Sequence, residues 1–173
     1  MSHVQYGLEV WGGASTCKGM KRLVGLQKKA IRHITKAHFM AHTEPRMKNL
    51  GFLKIPDQHL LQSAKLAHDI VNNYCPLNLQ SSLGLCAESR TYSLRSTTEN
   101  PTELREIQKR RREVRQGFPT LGPKIWNNIP DKIRKLKNRE GFKKQLKQHI
   151  LEGYEDKLSC SNPLCKDKKF HLH

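Results

Sequence analysis

Acid is scarce in this sequence: 15 Asp and Glu stand against 32 Lys and Arg, a formal net charge of +17 at pH 7. The scarcity bears first on catalysis. Metal-dependent nucleotidyl transfer needs at least two carboxylates converging on divalent cations, in many polymerases an Asp-Asp pair on a turn. Here Asp57, Asp69, Asp131, Asp156 and Asp167 stand isolated from one another. A GxxxxGK phosphate loop and a GxSxG nucleophile elbow are also missing. No catalytic residue and no cofactor are therefore assigned, and the chain by itself is not expected to be an enzyme. Aromatic residues make up 6%, so base stacking is expected to be a minor term and sequence-specific reading has little support.

Long apolar runs are missing too. Nothing approaches the roughly 18 consecutive apolar residues of a membrane span, and the first residues lack the apolar core of a signal peptide. A soluble intracellular protein, nuclear or cytoplasmic and without a membrane partner, is expected. Cys17, Cys75, Cys86, Cys160 and Cys165 are an odd, scattered set, unlike the dense framework of a small secreted domain. They read as thiols in a reducing compartment.

What is abundant is positive charge, and 173 residues suffice for one domain with a core. A field of this size seeks a polyanion, unless the cations only keep the surface solvated. Segregation of charge onto faces decides between the two. From Met20 onward Leu23, Val24, Leu26, Ala30, Ile31 and Ile34 recur at helical spacing, with Ser15 or Thr16 as N-cap and an expected end near Ala37. The other face of that helix carries Lys18, Lys21, Arg22, Lys28, Lys29, Arg32 and Lys36, and the segment from Cys17 to Lys36 contains no Asp or Glu. Such separation exceeds what a solvated face requires.

Thr43 caps a short helix through Leu50, and Gly51 falls where a left-handed residue closes a helix. Pro56 and Asp57 open the most apolar helix, with Leu60, Leu61, Ala64, Ala67, Val71 and Tyr74 in one stripe widened by Leu66 and Ile70, and Pro76 ends it. That helix is expected at the centre of the core. From Gln80 to Asn100 the chain turns polar, with a short strand expected around Thr91 to Arg95. Between Asn100 and Gln116, Asn100 and Pro101 suit a helix start, while Leu104, Ile107 and Val114 suit strands equally. Gly122 and Pro123 begin a helical turn through Trp126 that Pro130 closes. Asp131 starts another, and Asn138 caps a last helix with Phe142, Leu146 and Ile150 inward and Lys143, Lys144 and Lys147 outward. Trp11 and Trp126 are expected in the core, and a core-grade Trp so near Met1 suggests missing upstream sequence.

The resulting fold class is mainly α, a helical bundle with room for a small antiparallel β element around 91–121. It divides into a helical region over 1–75, a polar loop with a basic run over 76–121, a C-terminal helical region over 122–154 and a loose charged tail over 155–173. The run Lys109, Arg110, Arg111 and Arg112 suits phosphate binding, a nuclear import signal or a solvated helix face equally. With the two basic helices it makes three cationic segments, enough to track a nucleic-acid backbone over several phosphates.

Two metal candidates fare poorly. Cys160, Cys165, His171 and His173 have the residue types for zinc, but the His-x-His gap is shorter than the usual three to five or so residues. His38 and His42 would share a helix face only if a helix ran through them. Thr43 and Pro45 instead mark a helix start, and the histidines are read as capping and packing residues.

Several segments together resemble one family. Gln5-Tyr6-Gly7-Leu8-Glu9-Val10-Trp11-Gly12, Leu26-Gln27-Lys28-Lys29-Ala30-Ile31-Arg32, Ala41-His42-Thr43-Glu44-Pro45 and Leu50-Gly51-Phe52-Leu53-Lys54 resemble the region after the catalytic domain in reverse transcriptases of non-LTR retrotransposons of the jockey kind. Arg90-Thr91-Tyr92-Ser93-Leu94-Arg95, Gly122-Pro123-Lys124-Ile125-Trp126-Asn127-Asn128-Ile129-Pro130 and Phe142-Lys143-Lys144-Gln145-Leu146-Lys147 are similar to its C-terminal stretch. The likeness runs from about Val4 to Tyr154. It implies a thumb and post-polymerase region that grips template and primer, RNA or RNA–DNA duplex, largely without regard to sequence, with the polymerase domain upstream as its partner. The family's catalytic aspartates have no counterpart here. Some relatives end in a cysteine cluster, of which Cys160 and Cys165 would be a remnant, although Lys168 stands where another cysteine is expected. The alternatives are a retained stand-alone RNA-binding protein and a basic module docking on acidic protein partners.

Overall fold

The computed structural model describes residues 6–8, 12, 18–80, 83, 104–106 and 117–154. Over these the protein is mainly α-helical, in the order α1 (Lys18–Ile34), α2 (Glu44–Asn49), α3 (Ile55–Val71), α4 (Leu77–Gln80), α5 (Phe118–Asn127), α6 (Asp131–Arg134) and α7 (Arg139–Glu152). No strand occurs among the described residues. The strand expected near Thr91 to Arg95 lies outside them, as do Trp11 and most of the 91–121 stretch.

As its composition predicts, α3 is central, packing against α1, α4, α5 and α7. Leu61, Ala64, Ala67 and Ile70 join Trp126 of α5, Ile129 just beyond it, Ile133 of α6 and Phe142 and Leu146 of α7 in one apolar cluster. Small Ala64 and Ala67, both fully buried, let neighbouring helices approach closely, and fully buried Trp126 fills the space so created. A satellite cluster of Leu8, Met20 and Ile55 seats the start of α1 on the start of α3. The buried set on α3 also includes His59, Ser63, His68 and Asp69, so this helix is covered nearly all round and carries polar groups inward.

Those groups are satisfied, as burial demands. His68 stacks on Phe142 at 4.4 Å between ring centroids, and its Nε2–H donates to the Leu136 carbonyl at 2.7 Å. Arg139 Nη2 donates to Asp69 Oδ2 at 2.6 Å, which ties the first turn of α7 to the last turn of α3. Ser63 Oγ lies 3.3 Å from His59 Nε2.

Three helices end in the same way. At the end of α2 the Gly51 N–H donates to Lys48 O and the Phe52 N–H to Met47 O, the paired bonds of a Schellman cap, with Gly51 at φ +65°. The end of α1 repeats the pattern through Lys36 and Ala37, and the end of α3 through Asn73 and Tyr74, with Lys36 at φ 48° and Asn73 at φ 58°. Gly51 was legible in the sequence, whereas the other two caps lack glycine.

The structure corrects several expectations. Because Lys36 turns left-handed, α1 stops at Ile34 and does not reach Ala37. Ile34 and Leu26 stay 64% and 60% exposed, since the core covers only the narrower seam of Met20, Gln27 and Ile31. Similarly, α3 ends at Val71, before Pro76, and leaves Tyr74 52% exposed beyond it. Thr43 occupies the N-cap position of α2 but makes no side-chain capping bond there. The helix containing Trp126 begins at Phe118, four residues ahead of Gly122, because Pro119 fits its first turn and Pro123 is carried inside it. Gly122 is needed for close packing: a Cβ there would stand 2.8 Å from the Phe118 ring. Asn138 caps α7 as expected, accepting from the Glu140 N–H at 3.1 Å.

Candidate nucleic-acid interface

The cations of α1 derive their arrangement from what the other side of the helix must do. Met20 and Ile31 are buried for apolar contact. Between them Gln27 is buried because its amide joins the entry to α3: Nε2 donates to Leu53 O at 2.8 Å, and Oε1 accepts from the Ile55 N–H at 3.1 Å. With α1 fixed in rotation by that two-ended bond, a step of about 100° per residue sets Lys18, Arg22 and Lys29 opposite the seam and Lys21, Lys28 and Arg32 on the adjoining flank. Lys18, Lys21, Arg22, Lys28 and Lys29 are exposed. Acid is missing from this neighbourhood in the sequence, since no Asp or Glu occurs between residues 10 and 43. A cationic strip thus faces water along the length of α1 with nothing on its own helix to neutralise it.

Two of the expected cations differ from the rest. Arg32 is partly buried and its Nε donates to Ala41 O at 2.9 Å, so it also braces the α1–α2 connection. Lys36 lies past the end of the helix and therefore off the line of three- and four-residue steps through residues 18, 22 and 29. The turn nevertheless returns it to the group: Lys29, Arg32, His33 and Lys36 line one cleft of about 820 Å³ together with Ala37 and Phe39. His33 and Phe39 were passed over in the sequence reading. The available signal was a lone aromatic inside an acid-free, cation-rich stretch.

On α7, Lys143 and Lys144 are exposed and Lys147 is half-buried, the outward face expected from Phe142 and Leu146 turning inward. Helices α1 and α7 each pack on α3, so the two basic helices present separate strips on one scaffold. Lys109, Arg110, Arg111 and Arg112 lie outside the described residues, as do Cys160, Cys165, His171 and His173. His38 and His42 lie in the turn before α2, His38 exposed or nearly so and His42 partly so, which does not fit the packing half of the expectation, while His38 Nδ1 accepts from the Met40 N–H at 3.4 Å, a local capping bond. Among the described residues no group of three or more His, Cys, Asp or Glu is placed to hold a metal ion, and no helix is long and apolar enough to cross a membrane.

Other cations serve the fold. Lys54 pairs with Glu44 at 2.8 Å and lies 4.6 Å over the Tyr154 ring, while Lys48 Nζ donates to Tyr154 O at 3.3 Å. The Lys54 bond holds the Glu44 carboxyl below its ordinary pKa against a smaller opposing effect of burial, with Lys28 and His42 adding minor attraction. Glu44 is thus engaged chiefly by Lys54, and Lys28 is the α1 cation that its carboxyl also attracts. No family model, curated protein or solved structure matches this chain.

Proposed function

We propose that this protein is a nucleic-acid-gripping segment of the kind that follows the catalytic domain in non-LTR retrotransposon reverse transcriptases, holding RNA or RNA–DNA duplex by its backbone and performing no catalysis itself. In a full-length element its intramolecular partner is the upstream polymerase domain. The observation that carries the reading is the acid-free cationic strip of α1, set opposite a seam that Gln27 locks in rotation. Phosphate contacts of this type position a chain on its nucleic acid and carry no sequence information.

The test is binding of RNA and of RNA–DNA duplex by the intact chain across a salt series. Replacing Lys18, Arg22 and Lys29 by Gln removes about three phosphate contacts and should flatten the slope of log affinity against log salt by roughly 2 to 3 units. The loss should be similar for unrelated base sequences. A basic module that docks on acidic proteins gives weak binding and an unchanged slope, and that result would exclude the reading.

A further inference from the structure

Phosphate contacts alone do not account for the cleft at the end of α1. Four of its lining residues, Lys29, Arg32, His33 and Lys36, carry basic side chains, and the remaining two are Ala37 and Phe39. Phe39 is 68% exposed, and its ring lies 4.4 Å from that of His38 at 46°. Electrostatics of the helix do not prepare the place for anions. It is a C-terminus, the negative end of the dipole, so any attraction for phosphate must come from the side chains. Arg32 is fixed there by its Nε bond to Ala41 O, which leaves its two Nη groups as the remaining guanidinium donors. Lys36 is held in the left-handed conformation by the cap bonds Lys36 N–H to His33 O and Ala37 N–H to Arg32 O.

An exposed aromatic face rimmed by cations, of which Arg32 is held by its bond to Ala41 O, suits an unpaired nucleotide, whose base offers a π-face and whose flanking phosphates offer charge. A paired base inside a duplex has both faces covered by its neighbours and cannot use Phe39. We propose that this cleft takes an unpaired nucleotide of a single strand, its base against Phe39 and its flanking phosphates on Lys29, Arg32 and Lys36. The inference rests on the nucleic-acid reading above and narrows it to a junction between duplex and single strand.

Fluorescence anisotropy of the intact chain with three labelled probes tests it: an RNA–DNA duplex with blunt ends, the same duplex with a short single-stranded RNA overhang, and the single strand alone. The overhang should bind about tenfold tighter than the blunt duplex, the order of one stacked base. Phe39→Ala should erase that preference while leaving blunt-duplex affinity and its salt slope unchanged, and Phe39→Trp should keep it. Because Phe39 is exposed, neither change threatens the fold. Equal binding of blunt and overhang probes by the parent chain, or an overhang preference that survives Phe39→Ala, overturns the inference. In either case a salt slope that still depends on Lys18, Arg22 and Lys29 leaves the broader reading standing. Failure of that slope as well removes both.

Discussion

Asn127 and Leu104 are joined at both ends of one amide: Asn127 Nδ2 donates to Leu104 O at 2.9 Å, and Asn127 Oδ1 accepts from the Leu104 N–H at 3.0 Å. The last residue of α5 thereby pairs with the backbone of Leu104, a β-bridge residue, at both its N–H and its carbonyl. Leu104 can then bury its side chain to 1% exposure without stranding its own polar groups. Gln27 treats Leu53 and Ile55 in the same fashion.

These two amides should be more sensitive than their polar character suggests. Replacing Gln27 by Leu keeps the approximate volume and removes both bonds, leaving a buried N–H and a buried carbonyl unpaired at a cost of about 1–3 kcal/mol each. Asn127→Leu should cost less, because Asn127 is only half-buried. Urea midpoints of the two variants check the order. The rotation of α1 depends on Gln27, so Gln27→Leu should also weaken nucleic-acid binding although it removes no charge.

The core makes a plainer prediction. Trp126 is fully buried, with its ring 5.9 Å from Phe142 and 6.3 Å from His68. Trp126→Ala should cost about 3–5 kcal/mol, a large share of the stability of a domain this size. Denaturant unfolding of the variant measures it.

Much of this was legible because apolar spacing and capping act locally. The inward residues of α7, the Asn138 cap and the Gly51 turn follow from neighbours within a few positions. Gln27 and Asn127 were not, because an amide on a helix looks like surface until the segment it meets is placed 23 or 26 residues away. The buried polar residues of α3 escaped for the same reason. His68 and Asp69 are tolerable inside only because Leu136 and Arg139 arrive from the α6–α7 connection and the start of α7. Lys36 misled because no short-range signal marks lysine as a left-handed residue.

That residue gives a prediction of opposite sign to its glycine counterpart. An L-residue in the left-handed region is disfavoured where glycine is not, so Lys36→Gly should stabilise the fold by up to about 1 kcal/mol. Gly51→Ala at φ +65° should destabilise it by about the same amount. Thermal unfolding of both variants checks the pair. If Lys36 binds phosphate, the stabilised variant should bind nucleic acid less well, a trade of stability for function.

Tyr154 links stability to alkaline pH. Its hydroxyl donates to Asp57 Oδ2 and accepts from the Lys54 N–H at 2.8 Å. Burial first, then the bond to Asp57, raises its pKa well above the ordinary tyrosine value of 10.0. A raised folded pKa means that the native state holds the proton more tightly than the unfolded chain. The contribution is therefore complete below about pH 10 and declines as pH rises from there toward the folded value. Tyr154→Phe removes both hydrogen bonds, at about 1–3 kcal/mol near neutrality, together with the titration. The stability difference between parent and variant should be constant from pH 7 to 9 and shrink above pH 10, and a difference that widens there would reverse the assignment.

The final prediction asks whether the two basic helices act on one ligand. Helices α1 and α7 are separate supports on α3, and no cation of one depends on the other for its position. Lys143, Lys144 and Lys147 replaced by Gln should then reduce the salt slope by roughly 1 to 3 units, independently of the change from Lys18, Arg22 and Lys29. If one nucleic acid spans both strips, the reductions add in the sextuple variant, because independent sites far apart combine additively. If only α1 binds, the α7 variant matches the parent at every salt concentration. Lys54→Gln serves as the internal control for lost charge. Its ammonium is engaged by Glu44 and the Tyr154 ring, so the variant should lower the unfolding midpoint and leave the slope where it was. A slope that responds to Lys54 as strongly as to Lys29 would mean that binding follows net charge alone and that no strip on this protein is a site.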